Sequence, residues 1–470
     1  MLGSFVILEA VSKKVGWQVE RKGPIHTFLV FTGVITFMKK YAVLGIIVLL
    51  AGIYANTMAA DTSHSVSVND AVPAETFVFP AEFEEHQSVW LAWPTNEKAN
   101  GQPVEEVTLA MLQALVPHVK VDLMVQDEYE QDQVQRILTL YNIPTDNVRF
   151  QLIPHDDIWV RDMGPIFLKN SNQKMIVADF GFNSWGCLPQ TDDSSMKEEQ
   201  VDRLVARDLE FPVLRSSIIS EGGNREFNGK GTMMVTEAVE LQRNPSWTKA
   251  LLEAEYKRIF NVQEIIWLPE GVAEDQLACK GKLPGGELFS TWTTGGHIDE
   301  YARFVKEDTI LLLRVTKRET IRDPVARVTY RNMRRNHNIL KDATDQDGNN
   351  FNIIRVPSAE PIYQDMDKTD PMFHELRQLT YEDGTVIGED DTITIMLPAS
   401  YLNFVITNGV VLIPAYWKEG REETVRQKDE EFKEIMEGVY PDREIVQINP
   451  ENVNIGGGGM HCISQQMPVR

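Results

Sequence analysis

A small set of polar residues in this chain has the types and grouping that chemistry requires. They lie in short, well separated segments bounded by Gly, Pro or Asn: Asp157, Trp159, Asp162, Glu221, His297, Asp299 and Cys462. A cysteine together with a histidine can serve a hydrolase as nucleophile and base. The set also holds at least three carboxylates, whereas a protease dyad needs at most one orienting acid. The surplus of acidic groups is what distinguishes this constellation.

Carboxylates gathered around a thiol require a cation. They repel one another and disfavour the thiolate unless a metal ion or a cationic substrate is bound. The sequence has no CxxC, HExxH or similar ligand spacing, so zinc is disfavoured and no metal is predicted. A guanidinium fits better, because it is planar, permanently charged and forks onto carboxylates through paired N–H donors. The indole of Trp159 could lie against such a cation.

The cysteine follows a run of four glycines near the end of the sequence. The segment GGGGMHCISQQMP covers residues 456–468. Glycines tolerate positive φ and let other groups approach the backbone closely, so this run could present Cys462 as a nucleophile. A small buried hydrophobe is the alternative role for such a cysteine.

Five strand–helix–strand units are predicted to position these residues. Apolar strands flank helix-patterned stretches in residues 88–125, 174–219, 232–268, 309–356 and 409–448. The helix of the second unit is predicted over residues 196–208 and that of the fourth over 320–336. Such alternation predicts an α/β architecture. Each unit is followed by a polar junction: DDIWVRDMGP, EGGN, GGHIDEYARF, PASYLNF and GGGGMHC, in that order. If the units closed into a ring, the five junctions would meet near one end of its axis, and loops on a rigid scaffold often carry function.

The composition is that of a globular, acidic protein. The 470 residues include 69 acidic and 46 basic side chains, for a net charge of −23. This balance argues against nucleic acid or an anionic membrane surface as a partner and favours cationic ligands by steering, unless it serves solubility alone. Cys187 and Cys279 lie in no motif. Inert small residues are the favoured reading of both, and a disulfide in an oxidising compartment is the alternative.

The N-terminus has the anatomy of an export signal. From Met38 the sequence reads MKKYAVLGIIVLLAGIYANTMAADTS, with a cationic start, an apolar stretch over residues 41–55 and a small-residue exit at Ala59 and Ala60. The apolar stretch is short for a membrane span, which needs about 20 residues. The mature protein is therefore expected to be exported, either periplasmic or secreted, without a stable membrane anchor.

These features divide the chain into four parts. They are a mis-assigned or disordered extension (1–37), a signal peptide (38–60), a linker (61–77) and a catalytic domain (78–470). An uncleaved anchor that also includes the apolar residues 28–37 is the alternative for the N-terminus.

The motifs WVRDMGP, EGGN, GGHIDEYARF, PASYLNF and GGGGMHCISQQMP together resemble those of the agmatine deiminase family, in that family's order. The resemblance covers residues 78–468 and extends to the related bacterial peptidylarginine deiminases. It implies the pentein fold of guanidine-modifying enzymes, which is a five-bladed, pseudo-fivefold α/β propeller. It also implies catalysis without a cofactor.

The resemblance assigns a role to each residue that matches the family's motifs. Cys462 matches the nucleophile, which attacks the guanidinium carbon as a thiolate. Asp162 and Asp299 match the carboxylates that grip the guanidinium. His297 would protonate the leaving nitrogen, giving ammonia and a covalent thiouronium intermediate, and would then activate water. Glu221 matches an acid that contacts the histidine or the guanidinium.

Two further expectations concern the local geometry of the junctions. On extended backbone, the two-residue spacing of His297 and Asp299 would point both side chains to the same side. Tyr401 and Asn403 of PASYLNF are expected to shape the fourth junction without touching the chemistry.

The resemblance favours hydrolysis of agmatine to N-carbamoylputrescine and ammonia, a step of putrescine biosynthesis. Three departures keep an exported protein-arginine deiminase, which converts peptidyl arginine to citrulline, as the alternative. Family members acting on agmatine usually lack a leader, and position 163 is Met where they usually have Thr. The chain also carries extra polar length at residues 189–200, 336–350 and 358–391. The substrate would then be an arginyl peptide rather than a small cationic guanidine. A cysteine protease and a non-catalytic guanidine-binding protein are the remaining alternatives.

Overall fold

The computed structural model describes residues 75–96, 103–187 and 193–470. The predicted extension and signal peptide, and all of the linker before residue 75, lie outside these residues. Among the residues described, no helix combines the length and apolar character that crossing a membrane requires.

The described chain alternates strands and helices. Its strands are β1 (His86–Ala92), β2 (Lys120–Val125), β3 (Val148–Leu152), β4 (Ile166–Lys169), β5 (Met175–Gly181), β6 (Val213–Ile219), β7 (Arg225–Phe227), β8 (Thr232–Thr236), β9 (Glu264–Leu268), β10 (Ala302–Lys306), β11 (Thr309–Arg314), β12 (Asn352–Pro357), β13 (Tyr363–Met366), β14 (Ile393–Met396), β15 (Val405–Thr407), β16 (Val410–Pro414), β17 (Glu444–Ile448) and β18 (Ser464–Pro468). Its helices are α1 (Val104–Leu115), α2 (Glu128–Leu140), α3 (Val160–Met163), α4 (Asp193–Glu198), α5 (Val201–Asp208), α6 (Glu237–Arg243), α7 (Lys249–Phe260), α8 (Glu319–Arg322), α9 (Pro324–Asp342), α10 (Pro371–Gln378), α11 (Glu423–Val439) and α12 (Glu451–Asn454). Short 3-10 helices include Gly222–Asn224 and Ile298–Glu300.

Five small sheets repeat one topology, in which an antiparallel pair is extended by a parallel strand. Their orders are β18–β1–β2–β3, β4–β5–β6, β7–β8–β9, β10–β11–β12 and β15–β16–β17. In each sheet the parallel neighbours are joined through helical segments. All five predicted strand–helix–strand units are present, so the α/β prediction is confirmed. In the first sheet the last strand of the chain pairs antiparallel with the first.

The helices of two units differ from their predicted extents. Residues 196–208 form two helices, α4 and α5, rather than one. Residues 320–336 are divided before Pro324, because proline cannot donate the hydrogen bond that would continue the preceding helix. Pro324 begins α9, where the Asp323 side chain accepts a hydrogen bond from the Val325 amide at 2.8 Å.

Residues 358–391 contain structure that was not predicted. The sequence indicated only extra polar length there. This segment contains β13 and α10, and β13 pairs with β14 to form a sixth sheet. Phe373 and Leu376 of α10 are fully buried against Ile395 and Phe289. Apolar residues spread through the polar segment, among them Met366, Met372 and Ile387, join residues from outside it to form this core.

The topology brings the predicted junctions together. The central strands are apolar and buried, as in β2, where Val121, Leu123 and Val125 have no exposed surface. The polar junctions follow the outer strands β3, β6, β9 and β17, and a fifth lies between β14 and β15. Side chains from these five junctions meet in one buried site.

Candidate active site

The glycine run passes through a space that no larger residue could occupy. Gly457 has a φ of +106°, and a Cβ there would lie 2.0 Å from the carbonyl oxygen of Trp292. A Cβ on Gly458 would lie 2.7 Å from the Trp159 ring and 3.0 Å from the Cys462 sulfur. The glycines therefore let the nucleophile's loop pack directly against Trp159, which forms a wall beside the thiol.

The thiol itself is not open to solvent. Cys462 is 2% exposed. The side chain points into a buried site beside Asn403, Asp299 and Glu300.

Three polar groups surround the sulfur of Cys462. The Asn403 Nδ2 lies 3.0 Å away and donates to it, while the Asp299 Oδ2 and the Glu300 Oε1 lie at 3.6 and 4.0 Å. Burial, together with the negative charges of Asp299, Glu300 and Asp162, raises the pKa of the Cys462 thiol well above its usual value. The resting site therefore holds a thiol rather than a thiolate.

Asn403 is a site residue that the sequence did not identify. It was expected only to shape its junction, yet its amide contacts the sulfur and also donates to Glu300 at 2.8 Å. Its Oδ1 accepts from the His461 amide at 2.8 Å. A lone asparagine in an apolar segment gives no signal that it faces a cysteine 59 residues later.

His297 lies between two carboxylates. Its Nδ1 is 3.8 Å from the Asp162 Oδ2 and its Nε2 is 3.5 Å from the Glu221 Oε2. Burial alone would lower its pKa, but Asp162 and Glu221 outweigh burial and raise the pKa of His297 to about 9. The imidazole is therefore protonated at neutral pH and can donate a proton.

The turn that carries His297 is held by an acid that the sequence analysis did not consider. Asp275 accepts from the backbone amides of Thr294, Gly296 and His297 at 2.8, 3.0 and 2.9 Å. Asp299 follows in a 3-10 helix, so the predicted extended backbone between His297 and Asp299 is wrong. The two side chains nevertheless face the same space.

That shared space lies over Gly223 of the EGGN segment. A Cβ on Gly223 would lie 2.6 Å from His297 Nδ1, 3.0 Å from Asp162 Oδ1 and 3.1 Å from Asp299 Oδ2. The three side chains thus converge within a few ångströms of one backbone position. Glycine is needed there for space, because a methyl group would fill the point on which the side chains converge.

Asp162 sits on the single turn of α3 and is fixed on both oxygens. Its Oδ1 accepts from the Gly223 amide and its Oδ2 from the Trp185 indole, both at 2.8 Å. Burial, with the nearby charges of Asp299 and Glu221, raises the pKa of Asp162 despite the opposing effect of His297. Trp185 was missed by the sequence analysis, since nothing in its neighbourhood marks a contact with Asp162.

Glu221 contacts the histidine. Its Oε1 accepts from the Arg243 Nε at 2.7 Å and its Oε2 faces His297. Burial would raise its pKa, but Arg243 and then His297 prevail and lower the pKa of Glu221 to about 2. This carboxylate is therefore ionised and supports the charged form of His297.

We call Asp162, Glu221, His297, Asp299 and Cys462 the thiol cluster. Among the residues described, the buried Asp299 Oδ1 has no hydrogen-bond partner, while the ring nitrogens of His297 and the Glu221 Oε2 have only the long contacts given above. Buried polar atoms are normally satisfied, so this group of poorly satisfied atoms marks a place for a ligand. Oxygens of Asp299 and Glu300 also lie within 4.8 Å of the Cys462 sulfur, and these are the atoms that could hold a metal ion.

A buried thiol, a protonated histidine and surplus carboxylates on a mixed α/β fold define a site suited to a cationic ligand. The sequence pattern of the Porphyromonas-type peptidyl-arginine deiminases matches residues 78–468. The chain belongs to this family, which confirms the resemblance found in its motifs. It is accordingly an enzyme, a hydrolase acting on C–N bonds of amidines.

Relatives extend along nearly the whole described chain. The agmatine deiminase of Pseudomonas aeruginosa is 27% identical over 410 residues, which cover 84% of this chain and 96% of the relative. That of Pseudomonas putida is 26% identical over 413 residues, covering 86% and 98%. The solved structure of the Enterococcus faecalis agmatine deiminase superposes with a TM-score of 0.64 at 25% identity, covering 84% of this chain and 96% of that one.

Proposed function

We propose that this protein deiminates a small cationic guanidine, with agmatine as the favoured substrate and N-carbamoylputrescine and ammonia as products. The observation that carries the proposal is the thiol cluster, in which buried carboxylates and a protonated imidazole surround a cysteine and the Asp299 Oδ1 has no partner in the described structure. A guanidinium supplies the positive charge and the N–H donors that this cluster lacks. The relatives named agmatine deiminase support the same substrate class.

Binding would place the guanidinium between Asp162 and Asp299. The Asp299 Oδ1 has no other partner in the described structure, and both Asp162 oxygens can accept further hydrogen bonds. Trp159 would flank the cation beside the Gly458 backbone. Together these groups would hold the central carbon next to the Cys462 sulfur.

The bound cation would also activate the nucleophile. Burial and three carboxylates raise the pKa of Cys462, so the free enzyme holds a thiol. A guanidinium among the same carboxylates offsets their charge and favours loss of the thiol proton. Substrate binding and thiolate formation are therefore coupled, which keeps the thiol unreactive until substrate arrives.

The chemical steps then follow from the positions of the sulfur and His297. The thiolate forms a bond to the guanidinium carbon, and the His297 imidazolium gives its proton to the departing nitrogen as the C–N bond breaks. Ammonia leaves and a thiouronium remains on Cys462. Neutral His297 next takes a proton from water, whose oxygen bonds to the same carbon. The S–C bond breaks and the hydroxyl proton of the intermediate passes to the sulfur, replacing the proton that the thiol lost to solvent when the cation bound. The neutral ureido product leaves and the site returns to its starting charge.

The five sheets are proposed to be the blades of a closed propeller. Their repeated topology and the pairing of β18 with β1, which joins the two ends of the catalytic domain, support this arrangement. An experimental structure in which the five sheets do not surround a common axis would exclude it.

Export is proposed as well. Cys187 and Cys279 form a disulfide, with their two Cα atoms 5.8 Å apart. The prediction that both are inert small residues is therefore wrong. Disulfides persist in oxidising compartments, which supports a signal peptide at residues 38–60. N-terminal sequencing of the protein from periplasm or medium tests this, since a mature chain that retains residues 38–60 would exclude cleavage.

Protein-arginine deimination is the second candidate, favoured by the description of the family that matches this chain. Ammonia release should be compared on agmatine, arginine and an arginyl peptide, with a Cys462→Ala enzyme as the matched control. We expect agmatine to be the best substrate and Cys462→Ala to lose at least about a thousandfold in rate. Preference for the peptide would favour the second candidate. Inactivity on all three would refute both candidates, and peptide-bond cleavage without citrulline would indicate a cysteine protease instead.

A further inference from the structure

The residue before the nucleophile, His461, bridges two buried carboxylates. Its Nδ1 lies 2.7 Å from the Asp299 Oδ2, and its Nε2 lies 2.7 Å from the Glu82 Oε2. His461 is 1% exposed and Asp299 is fully buried. Glu82 precedes β1 and lies outside the thiol cluster. The ring of His461 therefore connects Asp299 of that cluster to a carboxylate outside it.

Each ring nitrogen faces a carboxylate oxygen at hydrogen-bond distance. A neutral imidazole has one donor and one acceptor, whereas an imidazolium has two donors. With a carboxylate oxygen at each edge, both contacts are hydrogen bonds when both ring nitrogens carry a hydrogen. Glu82 is kept ionised because Arg303 and His461 outweigh its burial and lower its pKa.

The two oxygens of Asp299 differ in their partners, because only one of them binds His461. Oδ2 is occupied by His461, while Oδ1 is buried without a partner in the described structure. The imidazolium also acts on charge: burial would raise the pKa of Asp299, but the hydrogen bond from His461 prevails and lowers it. Asp299 is thus held ionised and in one orientation before any ligand binds.

The ring of His461 is not needed to hold the nucleophile's loop, because the backbone of the same residue is already anchored. The His461 amide donates to the Asn403 Oδ1 at 2.8 Å, and its carbonyl accepts from the Arg161 Nε at 3.3 Å. The Cys462 carbonyl accepts from the Arg161 amide at 3.1 Å. The contacts of the ring with Asp299 and Glu82 are therefore not required to anchor the backbone of this loop.

We propose that His461 is a positioning residue, whose imidazolium holds Asp299 through Oδ2 and so directs Oδ1 toward the guanidinium of the substrate. The inference rests on the proposed function, since it assigns Asp299 to substrate binding. His461 itself touches neither substrate nor sulfur. It acts through Asp299, and its contact with Glu82 fixes the ring.

Two amide substitutions separate the contacts of the ring. In His461→Asn the side-chain amide reaches the position of Nδ1 and can still donate to Asp299, while in His461→Gln it reaches the position of Nε2 and can donate only to Glu82. A hydrogen bond to a charged group contributes about a 10- to 100-fold factor in binding. We expect His461→Gln to raise KM for agmatine about 10- to 100-fold and His461→Asn to raise it less than about fivefold.

Stability measurements distinguish positioning from folding. Urea denaturation of both variants should give similar free energies of unfolding, because each keeps one of the two hydrogen bonds. A KM for the Gln variant close to that of wild type would overturn the proposal. Equal losses in both variants, in proportion to their loss of stability, would do so as well.

A second readout does not depend on turnover. The rate at which Cys462 is alkylated by a cationic haloacetamidine, divided by its rate with the neutral haloacetamide, measures how well the carboxylates hold a planar cation. We expect this ratio to fall about tenfold or more in His461→Gln and to be largely kept in His461→Asn. If wild type turned over none of the three substrates, the proposed function would fail, yet this ratio would still support or overturn the role of His461. An unchanged ratio in the Gln variant would overturn it.

Discussion

Two neighbouring buried regions handle charge in opposite ways. One is the thiol cluster, and the other is a group that we call the arginine cluster, consisting of Glu82, Arg161, Glu226 and Arg303. In the arginine cluster, the Arg303 guanidinium is held by Glu82 at 2.6 Å and Glu226 at 2.5 Å. It also donates to two backbone carbonyls at 2.9 Å and lies 4.5 Å from the centre of the Phe404 ring. The protein thus builds a complete guanidinium site and fills it with its own side chain.

The thiol cluster has the same kinds of groups, but its one guanidinium neighbour, Arg243, is paired with Glu221 and leaves Asp162 and Asp299 without one. Asp162 and Asp299 correspond to Glu82 and Glu226, the two carboxylates that bind Arg303. Trp159 corresponds to Phe404, the aromatic ring beside that guanidinium. Burial is the main cause of the raised pKa of Asp162, and burial likewise raises the pKa of Glu226, whereas Arg303 and His461 outweigh burial and lower the pKa of Glu82. The comparison teaches that a guanidinium is missing from one region and permanently present in the other. We therefore expect substitutions in the thiol cluster to affect mainly activity and substitutions in the arginine cluster to affect mainly stability.

The largest expected effect comes from removing a charge from the thiol cluster. Asp299→Asn can still accept from His461 through its Oδ1, but it places an amide where the substrate's N–H groups would bind. Losing one partner of a buried charge pair costs about 4–5 kcal/mol, or about 10³- to 10⁴-fold in kcat/KM. Ammonia release under steady-state conditions measures this.

The same variant should remain folded. Its bond to His461 changes from charged to neutral, which costs about 1 kcal/mol in the free energy of unfolding. Urea denaturation beside wild type provides the control. If Asp299→Asn kept most of its activity, or unfolded as readily as a variant of the arginine cluster, the proposed division between the regions would be wrong.

The second effect concerns the arginine cluster. Arg303→Met removes the cation but leaves Glu82 and Glu226 buried, so we expect the free energy of unfolding to fall by about 3–5 kcal/mol. Denaturant titration measures the loss. Adding Glu226→Gln to Arg303→Met removes one uncompensated charge and should recover part of it. A loss below about 1 kcal/mol would show that the cluster contributes no stability through its pairing.

The contrast between the clusters also shows what the sequence could reveal. Hydrophobic periodicity predicted the five strand–helix–strand units, because a strand or helix depends mainly on residues close in sequence. The junction motifs located Asp162, Glu221, His297, Asp299 and Cys462, and the structure brings them together. These residues were visible because short motifs carry their chemistry.

The supporting residues were not visible. Glu82 and Arg303 are 221 residues apart, and Glu82 and His461 are 379 apart. No local pattern links such partners, since each pair exists only through the tertiary fold. The same holds for Asn403 and Trp185, whose contacts with the site depend on how separate junctions meet. Sequence reasoning therefore found the reacting groups and missed those that orient them.

The third effect follows from the imbalance of the thiol cluster and depends on pH. The pKa of His297 is about 9 in the folded protein, against about 6.5 for an unfolded histidine. A raised histidine pKa stabilises the fold fully below pH 6.5, and this contribution is lost as pH rises through about 9. The shift corresponds to about 3 kcal/mol in the substrate-free enzyme. Urea denaturation between pH 6.5 and 9.5 measures the loss.

A second buried group titrates in part of this range, so the control must separate the two. Burial raises the pKa of Glu198 to about 8, and a raised carboxyl pKa also lowers stability as pH rises, but only up to about pH 8. The difference between wild type and His297→Gln isolates the histidine, and it should continue to change between pH 8 and 9. The arginine cluster predicts no comparable slope there, because its guanidinium groups stay charged throughout. If His297→Gln showed the same pH dependence as wild type, the carboxylates of the thiol cluster would not be holding a proton on this histidine.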